Sequence, residues 1–188
     1  LEWFKDQGYE SIPSHGPLPV TVPGSVDGRF MLHQRFGSKP MSALLAPAIR
    51  YAEEGFPVTQ LIAYYWNRSV PILSKWPGFN EQFTLQGRAP KQGDVWRNPN
   101  LANTLKTIAE QGRDGFYAGP VAKVIADYMQ ANGGFLSMAD LAEHRGNWVD
   151  PVSTNYRGYD VWELPPNGQG IAACLLYTSP SPRDWTIS

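Results

Sequence analysis

NPNLANTLKTIAEQG, residues 98–112, and GPVAKVIADYMQANGG, residues 119–134, decide how this chain is read. Both show the same helix punctuation. In the first, Asn98 can cap, Pro99 suits the first turn, Leu101, Leu105 and Ile108 fall on one face, and Gly112 stops the run. In the second, Pro120 comes first, Val121, Val124, Ile125 and Tyr128 are expected to be buried, and Gly133–Gly134 end it. SMADLAEH then opens with Ser137 and Asp140 at capping-box spacing, with Asp in place of the usual Glu.

Upstream, SKPMSALLAPAIRYAEEG (38–55) predicts a helix capped by Ser38, with Pro40 in its first turn. Leu44, Leu45, Ala48, Ile49 and Ala52 form an apolar stripe and Gly55 is the stop. Pro47 lies inside this run and predicts a kink or a delayed start. A second helix is expected from about Thr59 until it meets Pro71, followed by an irregular polar stretch over 75–95 that ends in a turn at Gln92–Asp94. The Pro/Gly-rich segment 11–24 reads as extended and turn-rich, with a short strand at Leu18–Val22. Downstream the period changes to two. PVSTNYRGYDVWELPP (151–166) predicts strands at Val152–Tyr156 and Tyr159–Leu164 around a tight Arg157–Gly158 turn. The pattern as a whole is α+β: a helical block leading into a C-terminal strand pair.

Of the 188 residues, 42% are hydrophobic and 18% charged, enough apolar mass for a packed core. A net charge of −1 supplies no single-signed field, so neither nucleic acid nor an anionic membrane surface is an expected partner. One cysteine, Cys174, excludes an internal disulfide framework and a cysteine-based zinc site. No apolar run approaches the ~20 residues of a membrane span. The opening LEWFKDQGYES lacks an initiator Met and any leader pattern, which raises the expectation of a piece of a longer protein whose compartment stays open.

Chemistry-bearing residues are sparse. His15, His33 and His144 share no metal-ligand spacing and read as scattered surface or interface histidines. Ser14–His15 lacks a nucleophile elbow. Glu53–Glu54, adjacent on a helix, point to different faces and suit solvation better than paired acid/base work. Tyr64, Tyr65 and Trp66 could stack on a ligand, but the neutral charge favours packing. The turn Asn167–Gly168–Gln169–Gly170 could offer amides to an anion. Equally, it could be a turn that needs positive φ at Gly168 or Gly170. No metal or other cofactor is expected.

Several stretches carry a joint resemblance: VPGSVDGRF (22–30), Gly37 and Pro40, APAIRYAEEGFPV, the run from GDVWRNPNLANTLK to SMADLAEH, and PVSTNYRGYDVWELPPNGQG. In order and spacing, over about residues 15–173, the chain resembles the gamma-glutamyltranspeptidase family of N-terminal-nucleophile hydrolases. The resemblance implies a four-layer αββα sandwich built from one precursor that cuts itself into a large and a small subunit. The cut frees an N-terminal threonine that acts as nucleophile and amine base. The implied reaction moves a gamma-glutamyl group from glutathione or a related amide to an amino acid, a peptide or water. The small subunit from the same precursor is the implied protein partner. A periplasmic or secreted parent is compatible with the family, and so is a cytoplasmic one.

Carried over residue by residue, the family's substrate-holding arginine falls upstream of Leu1 and its nucleophile downstream of Ser188. No catalytic residue therefore maps here, and the fragment is expected to be inactive alone. Thr178 and Thr186 do not sit in the cleavage-site pattern. Many members carry PPPSSGG after the second strand where this chain has PPNGQG (165–170). That departure points toward a looser branch acting on other amides, by hydrolysis or acylase chemistry. It makes Asn167, Gly168, Gln169 and Gly170 the expected substrate-facing loop. A non-enzymatic helical binding module is the remaining alternative.

The pattern stops after Ala173. CLLYTSPSPRD can be written in codons that reproduce a transposase adapter of short-read sequencing libraries. Residues 174–188 are therefore expected to be a non-native, disordered tail, separate from the region 1–173.

Overall fold

The computed structural model describes residues 2–170 and 172; the expected tail lies outside them. In chain order the elements are α1 (Glu2–Asp6), α2 (Ser25–Phe36), α3 (Met41–Glu54), β1 (Phe56–Pro57), α4 (Gln60–Leu73), α5 (Phe79–Phe83), β2 (Val95–Trp96), α6 (Pro99–Tyr117), α7 (Pro120–Ala131), α8 (Met138–Glu143), β3 (Val152–Tyr156) and β4 (Tyr159–Glu163). They fall into two compact units that divide between Gly146 and Asn147.

In the first unit, α6 is the organising helix. Asn98 caps it, its side chain accepting the Leu101 amide at 2.9 Å, while the Asn98 amide donates to Ala52 O at 2.8 Å and ties the cap to the end of α3. Helix α3 packs along α6, and the short antiparallel pair Phe56↔Trp96, Pro57↔Val95 closes the connection. Gly112 breaks the helix where the sequence places its stop. It adopts φ 69°, ψ −153°, outside helical geometry, and a further turn runs from there to Tyr117. Glycine reaches positive φ without the Cβ clash that other residues meet, so the axis can break there and resume.

The core gathers Tyr117, Ala122, Met129, Leu136 and Leu141, with Val22, Val26, Phe116 and Ile125 packed against it. This corrects the inward face expected for α7. Val124 is 67% exposed and Tyr128 is also exposed, while Ala122, Ala126 and Met129 are buried. Small residues let α7 lie close to its neighbours, and this packing overrides the bulkier stripe. On α6, Ala102 and Ile108 are buried but Leu101 is exposed; on α3, Ala52 is buried whereas Leu44 and Ala48 face outward.

Other expectations are also corrected. Leu18–Val22 forms no strand. Ser38 does not cap α3, because Pro40 itself stands at the cap in extended geometry (φ −62°, ψ 146°), leaving Ser38 two residues too early to reach the first turn. Helix α3 starts at Met41, so Pro47 lies inside it and does not delay its start, and α4 runs past Pro71 to Leu73. Both prolines, and the residues four positions earlier whose carbonyls lose a donor, are exposed, so water can replace the missing bond. Helix α5 forms within the stretch expected to be irregular. No apolar period announces α2: SVDGRFMLHQRF mixes polar and apolar residues on every face.

In the second unit, β3 and β4 pair antiparallel from Val152↔Glu163 to Tyr156↔Tyr159, as the sequence predicts to within a residue. Arg157 (φ 53°) and Gly158 (φ 86°) make the two-residue turn, whose positive φ values match the twist of a hairpin. Asn155 braces it, accepting the Gly158 amide at 3.2 Å and donating to Asp160 at 2.9 Å. Among the described residues, no helix is long and apolar enough to cross a membrane.

Candidate functional site

The loop expected to face substrate follows β4. Asn167, Gly168 and Gln169 are exposed at a turn, and Gly170 is buried at the start of a helical turn in which the Ala172 amide donates to Gln169 O at 3.0 Å. Neither Gly168 nor Gly170 has positive φ, which removes backbone conformation as the reason for these glycines. At Gly170 the reason is space. A Cβ there would lie 2.8 Å from both Cβ and Oε2 of Glu163, while one at Gly168 would meet nothing. Glu163 thus places a carboxylate against the loop, within 3.2 Å of the Leu164 amide. A negative charge at that point opposes capture of an anion by the loop amides, one of the two roles the turn left open.

A buried polar cluster that no sequence pattern marks lies in the first unit, around Asp27. Asp27, in the first turn of α2, is 4% exposed. Its carboxylate accepts from Arg113 Nε and the Gly146 amide, and lies 3.8 Å from His144 Nε2. Arg113 also donates to His144 O and stacks 4.5 Å above the Tyr117 ring. Tyr117, fully buried, accepts the Asp27 amide at 3.1 Å and donates to Pro23 O at 2.6 Å. Burial pushes the Asp27 carboxyl up, but hydrogen bonds from Arg113 and Gly146 and the charges of Arg113 and His144 outweigh it, leaving the group below its ordinary value. Burial, with the neighbouring Asp27 charge, raises Tyr117.

His144 is therefore half-buried inside this cluster, not a scattered surface histidine. His33 bonds Lys39 O, and Ser14 Oγ meets His15 Nδ1 at 3.0 Å on an exposed turn. No group of three metal-ligating side chains assembles among the described residues. Of the aromatic trio, Trp66 packs, its ring 4.7 Å from that of Trp96 and its Nε1 donating to Phe83 O at 2.9 Å; Tyr64 and Tyr65 stay exposed. Around Trp66 and Phe83 run two apolar grooves of about 450 and 730 Å³. Glu53 pairs with Lys106 in solvent, as expected of a solvated helix face.

Among the described residues no complete catalytic constellation forms; what the geometry defines is a scaffold class. The helical layer leading into an antiparallel pair is an α+β arrangement shared with solved acylases and transpeptidases of the N-terminal-nucleophile hydrolase fold. The structure resembles a cephalosporin acylase from Bacillus halodurans (TM-score 0.86, 44% identity, 92% of this chain and 33% of that one). It also resembles the gamma-glutamyltranspeptidase of Helicobacter pylori (TM-score 0.82, 32% identity, 87% of this chain and 48% of that one).

Residues 1–178 match the gamma-glutamyltranspeptidase family, and the chain belongs to that family. Curated relatives include the glutathione hydrolase-like YwrD proenzyme of Bacillus subtilis, 36% identical over 96% of this chain and 34% of its own length. The oxamate amidohydrolase proenzyme of Klebsiella pneumoniae is 36% identical over 90% of this chain and 33% of its own. The chain thus spans about a third of the length of these relatives. They are enzymes, several described as proenzymes, which fits the expected family of transferases and hydrolases made as zymogens.

Proposed function

We propose that the complete polypeptide carrying this chain cleaves gamma-glutamyl amides by acyl transfer, with glutathione or a related amide as donor. The match to the family across residues 1–178 is the observation that supports this. The reaction runs through an N-terminal threonine outside this chain, freed by self-cleavage of the precursor. Its hydroxyl oxygen attacks the amide carbonyl carbon. Its amine takes the hydroxyl proton and passes it to the departing nitrogen as the C–N bond breaks. Backbone amides hold the oxyanion of each tetrahedral intermediate. Water or an amino-acid amine then attacks the ester, releases the acid or the new amide, and restores the threonine.

This chain supplies scaffold to that reaction, partnered by the small subunit from the same precursor. Its closest approach to substrate is the loop Asn167–Gly170. Expressed alone, it is inactive.

A second reading makes the donor another acyl amide. The 44% identity to a cephalosporin acylase and the PPNGQG loop favour it. Both readings meet one experiment: recover the flanking gene, express the whole precursor, and assay it on a gamma-glutamyl anilide, glutathione and other acyl amides. Self-cleavage at a threonine, lost on its replacement by alanine, together with glutathione turnover, is the expected result. Turnover of other amides without glutathione selects the acylase. Absence of a downstream cleavage-site threonine overturns both.

A further inference from the structure

We propose that Asp27 is a latch: one buried carboxylate that fixes the segment leaving α8, His144–Gly146, against the entrance of α2. Two independent features of the first unit support it. The first is convergence of bonds. Asp27 receives Arg113 from the far side of the Gly112 break and the Gly146 amide from the exit segment, while the same guanidinium holds His144 O. The second is close approach. A Cβ on Gly146 would lie 2.5 Å from Met31 Sδ and 2.8 Å from Asp27 Oδ2, and one on Gly24 would lie 3.3 Å from His144 Nε2. The exit segment is pressed onto α2 from both ends, and only glycine fits at the latch itself.

The surroundings assign the holding role to Asp27. His144, Arg145 and Gly146 contribute no residue to the buried core, whose members end at Leu141. Past α8 the chain is held here by polar bonds instead of apolar burial, and those that reach α2 and α6 all meet Asp27 or its partner Arg113. The other charges at this place are Asp114, which also receives Arg113 at 3.3 Å, and Arg145, which donates to Ala142 O at 2.7 Å. Neither bonds Asp27. The residue after Gly146 begins the strand-bearing unit, so the latch sets where the chain departs from the first unit.

Hydrogen exchange on the complete polypeptide tests this without reference to activity. In Asp27→Ala, the Gly146 amide should exchange about tenfold faster or more, while Ala126 and Met129 inside α7 keep their protection. Asp27→Asn retains one acceptor and should fall between wild type and Asp27→Ala. Gly146→Ala leaves the carboxylate intact but forces the segment away, and should expose the same segment. Unchanged exchange at Gly146, or loss of α7 protection in step with it, overturns the latch. So does failure of both Asp27→Ala and Gly146→Ala to fold, which would make the cluster part of the core.

Discussion

At Asp27, position and charge do work that no local pattern reveals. A lone aspartate in the first turn of a helix ordinarily complements the helix dipole in solvent. Here it is buried, and its bonds reach 86 and 119 residues along the chain. That is why neither Asp27 nor Arg113 was legible: each has an unremarkable sequence neighbourhood, and only the fold brings them together. The loop at Asn167–Gly170 was legible as a turn, but the reason for its buried glycine, the Glu163 side chain, was not. The Asp27 carboxyl is held below its ordinary value of about 3.8, chiefly by Arg113 and Gly146 acting against burial. A depressed folded-state pKa contributes stability that is present above about pH 4 and lost as pH falls through the folded value. Arg113 and Tyr117 from α6 and His144 beyond α8 face this carboxylate, and Arg113 and His144 contribute positive charge. Thermal melts of the complete polypeptide should therefore drop as pH goes below about 4, and Asp27→Asn should flatten part of that drop. An equally steep acid limb in the variant would assign the loss to other carboxylates, such as Asp94 and Asp140, which are also lowered.

At the scale of elements, punctuation was more legible than packing. Asn98 and Ser137 cap where the sequence places them, Gly55 closes α3, and the 157–158 turn sets the hairpin register. These signals are local: a side chain meeting a backbone group within four residues. Which face turns inward was less legible, because α7 buries Ala122, Ala126 and Met129 in preference to Val124 and Tyr128, and that choice belongs to the neighbouring helices. Asn98 offers a direct measure of a cap. Its Oδ1 accepts both the Leu101 amide and Gln82 Nε2, the latter at 2.6 Å. Asn98→Ala should cost about 1–2 kcal/mol in denaturant unfolding, with Asn98→Asp close to wild type because a carboxylate accepts the same bonds at a helix N-terminus. Equal losses in the two variants would show that the amide nitrogen, not the cap, matters.

At the scale of the whole molecule, much apolar surface faces outward: Leu61, Tyr64 and Tyr65 on α4, Val124 on α7, Tyr159 and Trp162 on β4. Among the described residues, β3 and β4 pair only with each other, so each has an open edge. Open edges and broad apolar faces favour association with other chains. Residues 1–188 produced alone should be poorly soluble or partly molten; a sharp cooperative melt with well-dispersed amide resonances would contradict this. The Asp27–Arg113 pair also has a kinetic meaning. Contacts that close a loop of 86 residues form only after much of the intervening chain is ordered, since loop-closure entropy must be met first. Helix α6 and its neighbours can form early from local contacts. Docking of this carboxylate should then come late in assembling the first unit, so that in stopped-flow kinetics of the complete polypeptide Asp27→Ala should hasten unfolding while leaving the speed of folding nearly untouched.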